Sequence, residues 1–170
     1  MADGYARASR KVAYVQVPGM GLPNAIGHAY NAWKDRIPLV VTSYRAEHSE
    51  AAGRRIFQEI PQIEKFMEPV SKWTWNLRHP HTIAEVVRRG LVFASTPPCS
   101  PVYLSWHGNM LWEKAKAEVM SGEKFQVSME IKPNPGLVEK AAKLLVEAKS
   151  PVLYVGDDVY RTEGDRKSVV

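Results

Sequence analysis

Gly19-x-Gly21-x-x-Asn24 is the stretch of this chain best suited to holding a ligand. Glycine has no Cβ, so the main chain can pass close to a ring or a phosphate. Asparagine offers both a donor and an acceptor. A dinucleotide-binding loop would need a third glycine, which is absent, and Pro23 removes an amide donor at the helix entrance. No acidic residue ends the next apolar run, where a ribose would be held. A tight turn followed by a helix capped by Asn24 accounts for the same residues equally well. Glu47, His48 and Glu50 fall close together, but no second ligand set stands at a metal-site spacing. His79 and His81 flank Pro80 and fit a helix start near Thr82. His107-Gly108-Asn109 stands either at the carboxyl end of a strand, where sites in parallel sheets gather, or in a simple turn. Gly156-Asp157-Asp158 reads as a strand-end turn.

The elements that must position these groups follow from periodicity. Met1–Lys11 reads as a helix ending at Ser9, and Val12–Val17 is a β-branched apolar run long enough for a buried strand. Pro18–Pro23 carries two glycines and two prolines and reads as a loop. The helix after it is expected to bury Ala25, Ile26, Ala29, Tyr30 and Trp33, and Pro38–Tyr44 is the next strand. Strand, tight loop, helix and strand make a βαβ unit, which implies a parallel sheet. Val70–Leu77 is expected as a strand with Trp73 and Trp75 on one face. The helix after it should bury Ile83, Val86, Val87, Gly90 and Leu91. Thr96–Pro101 stops that helix, and Val102–Trp106 is a further strand. Gly136–Lys149 has an amphipathic helical pattern, and Pro151–Gly156 reads as a strand opening a second α/β domain.

The 170 residues carry a net charge of +5, spread in short clusters with acidic residues between them. A nucleic-acid footprint needs basic residues gathered on one face, so no nucleic-acid partner is expected. The single Cys99 excludes an internal disulfide, and the sequence contains neither a signal peptide nor a long apolar span. No membrane association and a cytoplasmic location are the expectation.

The motifs M-A-D-G-Y-A-R-A-S, the Gly/Pro loop ending in Asn24-Ala25, and Y-N-A-W-K-D-R-I-P-L-V-V-T together resemble the thiamine-diphosphate enzymes. The likeness is to the pyrimidine-binding domain of acetolactate synthases and benzoylformate decarboxylases. It continues at Phe57-Gln58-Glu59, Val70-Ser71-Lys72-Trp73 and Pro101-Val102-Tyr103-Leu104. The resemblance implies an N-terminally truncated pyrimidine-binding domain over 1–110, a linker over 111–133 and the incomplete start of a central α/β domain over 134–170. It implies thiamine diphosphate and Mg2+ as cofactors, the metal ligands lying in a domain outside this sequence. The implied reaction decarboxylates a 2-oxo acid and then protonates or ligates the enamine. Gly19, Gly21 and Asn24 are carried over as cofactor-binding residues. Phe57 and Gln58 are carried over as catalytic: a phenyl wall that excludes water and a carboxamide that donates to a developing oxyanion. The family's activating glutamate would precede Met1. A homodimer or tetramer joined through this domain is implied, and the segment alone is expected to be inactive. The alternative is a non-catalytic module pairing with a separate diphosphate-binding chain.

Overall fold

The computed structural model describes residues 1–45, 60–120 and 132–161. The chain divides into two compact units, Met1–Ser128 and Met129–Val170. The first unit contains α1 (Ala2–Ser9), β1 (Ala13–Gln16), α2 (Leu22–Lys34), β2 (Leu39–Arg45), α3 (Glu64–Met67), β3 (Trp73–Leu77), α4 (Ile83–Ser95) and β4 (Val102–His107). The strands form one sheet in the order β1-β2-β4-β3, every pair parallel.

Parallel strands covered on both faces read as unbroken apolar runs, and β2 and β4 do so through Leu39-Val40-Val41 and Val102-Tyr103-Leu104. Their side chains alternate between two cores. Leu39, Val41 and Tyr103 pack with Ala6 of α1, Leu22, Ala29 and Ala32 of α2, and Met67 of α3. Val40, Val102 and Leu104 pack on the other face with Val86 and Ala94 of α4. The chain steps outward along the sheet from β1 to β2 to β3, then back from β3 to β4. Right-handed crossovers therefore put α2 and α3 on one face and α4 on the other.

Several expectations are corrected. α2 begins at Leu22, two residues before Asn24, so Asn24 is not its cap. The cap position is Gly21, and Pro23 lies in the first turn, where its missing N–H costs nothing. Pro18–Pro23 is thus not wholly loop, since Gly19–Gly21 is a 3-10 turn leading into α2. The buried side of α2 is Leu22, Ala29 and Ala32, whereas Tyr30 and Trp33 are exposed and lie against each other with centroids 5.9 Å apart. The small alanines let α2 sit close to the sheet, which turns the bulky rings outward. Leu91 is likewise exposed, and Ala94 takes its place in the core under α4. Trp73 and Trp75 do share a face, stacked at 5.6 Å, with Phe93 edge-on to Trp73.

In the second unit, α5 (Pro135–Glu147) is capped by Asn134, whose Oδ1 accepts from Gly136 N at 2.9 Å. Residues 151–156 form no strand, because no neighbouring strand among the described residues pairs with them. A short helix, α6 (Asp157–Arg161), follows.

Candidate functional site at the carboxyl edge of the sheet

Ligands of open parallel sheets meet the carboxyl ends of the strands. Here those ends are Gln16 of β1, Arg45 of β2, Leu77 of β3 and His107 of β4. The β1 end runs straight into the glycine turn. Val17 N donates to Thr42 O at 2.9 Å, so the chain stays bound to β2 until one residue before Pro18. Gly21 N then donates to Pro18 O at 2.8 Å and closes the turn. A Cβ on Gly21 would stand 3.2 Å from Pro18 Cδ and 3.3 Å from its Cγ, so the turn itself requires a small residue there. Gly19 is buried, whereas Asn24 is exposed in the first turn of α2. The structure therefore places Gly19 and Gly21 on the 3-10 turn and Asn24 three residues further on, in the first turn of α2.

Phe57 and Gln58 lie outside the described residues, as do Glu47, His48 and Glu50. Arg45 and Glu64 stand on either side of the segment containing them in the sequence. A polar network joins these two points. Arg45 Nη1 donates to Glu64 Oε1 at 2.8 Å, and Ser105 Oγ donates to the same oxygen at 2.8 Å. Both members of the ion pair have side chains only 18% exposed. One residue-pair deeper, the buried Ser43 hydroxyl is hydrogen-bonded to the Tyr103 hydroxyl. Burial pushes the Tyr103 phenol up to about 12, and the Ser43 bond partly opposes that shift. Ser43 and Ser105 are registered partners on β2 and β4, so the layer crosses the two central strands.

His107 is buried at the end of β4, and Gly108–Leu111 is a 3-10 turn, so the expected turn is present at a strand's carboxyl end. His79 and His81 stack at 5.6 Å beyond β3. No group of three or more His, Cys, Asp or Glu side chains able to hold a metal stands among the described residues. No described helix is long and apolar enough to cross a membrane.

Sequence reading missed the network of Arg45, Glu64 and Ser105. Its members are separated by as many as 60 positions, and no local pattern marks them. The one available signal was the polar Ser43 and Ser105 within otherwise apolar strands, which called for buried partners.

Residues 1–65 match the family described as thiamine pyrophosphate enzyme, N-terminal TPP binding domain. The chain is 30% identical over 160 residues to benzoylformate decarboxylase of Pseudomonas aeruginosa, covering 94% of this chain and 30% of that protein. It is 34% identical over 163 residues to the acetolactate synthase isozyme 3 large subunit of Escherichia coli, covering 92% and 28% respectively. Among solved structures, benzoylformate decarboxylase from Polynucleobacter necessarius superposes with a TM-score of 0.79 at 26% identity, over 96% of this chain and 30% of that one. The chain thus spans about 30% of the length of the relatives it matches.

Proposed function

We propose that this chain, which belongs to the thiamine pyrophosphate enzymes through its N-terminal domain, supplies the pyrimidine-side wall of an active site that decarboxylates a 2-oxo acid. The product is then protonated or ligated to a second carbonyl, as in the acetolactate synthase type. Thiamine diphosphate, when bound, supplies the nucleophilic carbon and the base that generates it. The observation that carries the reading is the glycine turn closing the carboxyl end of β1, with Asn24 exposed immediately behind it. These residues fit the group: the turn has no side-chain bulk at Gly19 and Gly21, and the Asn24 carboxamide is presented to solvent in the first turn of α2.

Gly19 and Gly21 let the main chain lie against the cofactor's ring, and Asn24 orients it by hydrogen bonding. Phe57 and Gln58 are assigned the water-excluding wall and the donor to the developing oxyanion. Mg2+ is assigned to polypeptide beyond this segment. We also assign 1–110 to the pyrimidine-binding domain, 111–133 to a linker and 134–170 to the start of a central domain. The active unit is a homodimer or tetramer, and the exposed Tyr30 and Trp33 of α2 supply aromatic surface suited to such a contact.

The test is a titration with thiamine diphosphate and Mg2+, in the presence of the remaining polypeptide, followed by tryptophan fluorescence. Saturable binding is expected, weakened roughly 5- to 10-fold by Asn24→Ala, the cost of one hydrogen bond. Absence of saturable binding by the wild-type chain overturns the reading. Unchanged affinity in Asn24→Ala removes Asn24 from it. A second reading is a non-catalytic module that pairs with a separate diphosphate-binding chain. Turnover of pyruvate in the presence of the remaining polypeptide separates the two.

A further inference from the structure

The outer face of β1 carries a hydrogen-bond relay that neither the fold nor the glycine turn requires. Ala13 and Val15 face the core beneath α1 and α2, so Tyr14 and Gln16 face the opposite side, where Tyr14 is 55% exposed and Gln16 is also exposed. Exposed polar side chains on a strand ordinarily bond to water. Here the fully buried Thr42, registered opposite Gln16, donates its hydroxyl to Tyr14 OH at 3.0 Å. A longer approach of that hydroxyl to Val15 O, at 3.4 Å, accompanies it. Tyr14 OH in turn donates to Gln16 Oε1 at 3.1 Å.

The direction of the relay fixes what is left over. Thr42 gives its only hydroxyl proton to Tyr14, and Tyr14 gives its own to the carbonyl end of the Gln16 amide. The carboxamide is thereby oriented, and its nitrogen keeps two N–H donors for an external acceptor. Donor chains polarise one another, so the terminal N–H groups become better donors than those of an isolated glutamine. Gln16 is the last residue of β1, three positions before Gly19, and so stands at the carboxyl edge itself.

We propose that Gln16 is a ligand-binding residue of this edge, aimed by Tyr14 and Thr42 as positioning residues, and that it donates to an oxygen or ring-nitrogen acceptor of the bound ligand. The proposal rests on the function proposed above. That acceptor belongs either to thiamine diphosphate or to the carboxylate or keto group of the 2-oxo acid.

Two titrations, both in the presence of the remaining polypeptide, separate these sources: thiamine diphosphate with Mg2+ alone, then pyruvate or benzoylformate at saturating thiamine diphosphate. Gln16→Leu is expected to weaken one of the two by roughly 5- to 10-fold, the worth of a hydrogen bond. Tyr14→Phe removes only the aiming hydroxyl and is expected to weaken the same ligand about 3-fold. In the Gln16→Leu background it should have no further effect, since both act through one amide. Thr42→Val should match Tyr14→Phe, with Thr42→Ser restoring affinity. A structural role alone would move melting temperatures in these variants without a non-additive change in affinity. If the wild type binds and Gln16→Leu leaves both titrations unchanged, this inference fails alone. If the effects of Tyr14→Phe and Gln16→Leu simply add, the relay fails. If the wild type does not bind thiamine diphosphate, the proposed function falls and takes this inference with it.

Discussion

Removing the Glu64 carboxylate tests whether the polar layer at the carboxyl edge holds α3 to the sheet. Glu64 Oε1 accepts from both Arg45 Nη1 and Ser105 Oγ, each at 2.8 Å, and the ion pair is mostly shielded from water. Breaking a fully buried pair from one side costs about 3–5 kcal/mol, because the remaining charge stays buried. Two features reduce that figure here. The side chains are 18% exposed, which admits some solvent, and Arg45 has further interactions beyond Glu64. A charge-assisted hydrogen bond is worth about 1.5–3 kcal/mol, and the loss of the Ser105 partner adds a neutral bond of about 1 kcal/mol. Together these come to about 2.5–4 kcal/mol, and the residual exposure and the other Arg45 interactions lower that, so Glu64→Ala is expected to destabilise the first unit by roughly 2–3 kcal/mol. Glu64→Gln keeps an acceptor oxygen for both donors and loses only the charge, so about half that cost is expected. The assay is thermal unfolding followed by near-ultraviolet circular dichroism. A unit of this size shifts by roughly 3–4 °C per kcal/mol, which puts Glu64→Ala about 6–12 °C below wild type. A shift in Glu64→Ala under 2 °C, or one equal to that of Glu64→Gln, would refute the assignment of the carboxylate as the joint between β2, β4 and α3.

The other predictions concern single groups. Tyr103 is raised by burial to about 12 from an ordinary value of 10, so the neutral phenol is favoured in the folded state. Its contribution is full below pH 10 and is lost as pH rises from 10 through 12. Relative to Tyr103→Phe, wild-type stability should fall by roughly 2–3 kcal/mol across that window. Parallel alkaline melts that keep a constant gap would sink this. At Gly90, an added Cβ would meet Leu104 Cδ1 at 3.4 Å and Val102 Cγ1 at 3.5 Å, ordinary packing distances. Gly90→Ala is thus expected to raise the midpoint of urea unfolding by the equivalent of about 0.5–1 kcal/mol through helix propensity, and a lowered midpoint would mean that α4 cannot accommodate the methyl. Gly21→Ala should instead lower it by about 1 kcal/mol, because the Pro18 ring must move. Asn134→Ala removes the cap of α5 and should cost about 1 kcal/mol, read as reduced helicity of that segment.

Which of these features the sequence reveals depends on how local their causes are. The parallel sheet is legible because burial on both faces leaves Leu39–Val41 and Val102–Leu104 as apolar runs between helical patterns. The glycine turn is legible for the same reason, since Gly19 and Gly21 mark it by type alone. The orientation of α2 is not. Ile26, Ala29, Tyr30 and Trp33 fit one helical stripe, yet Leu22, Ala29 and Ala32 fit another rotated a little further, and hydrophobicity favours the wrong one. Packing decides between them: a helix set into the core it shares with α1, α3 and the sheet approaches more closely on alanine than on tryptophan. The same limit hides Glu64 and Gln16, whose roles depend on partners across the sheet. For Gln16 the partner is Thr42, a residue that looks like one more β-branched member of an apolar strand. Its hydroxyl becomes informative only once burial removes water as an alternative acceptor. The carboxyl edge thus has two kinds of residue. Glycines define its shape and are visible in the sequence, while polar side chains define its hydrogen-bonding direction and become visible only when the strands are laid side by side.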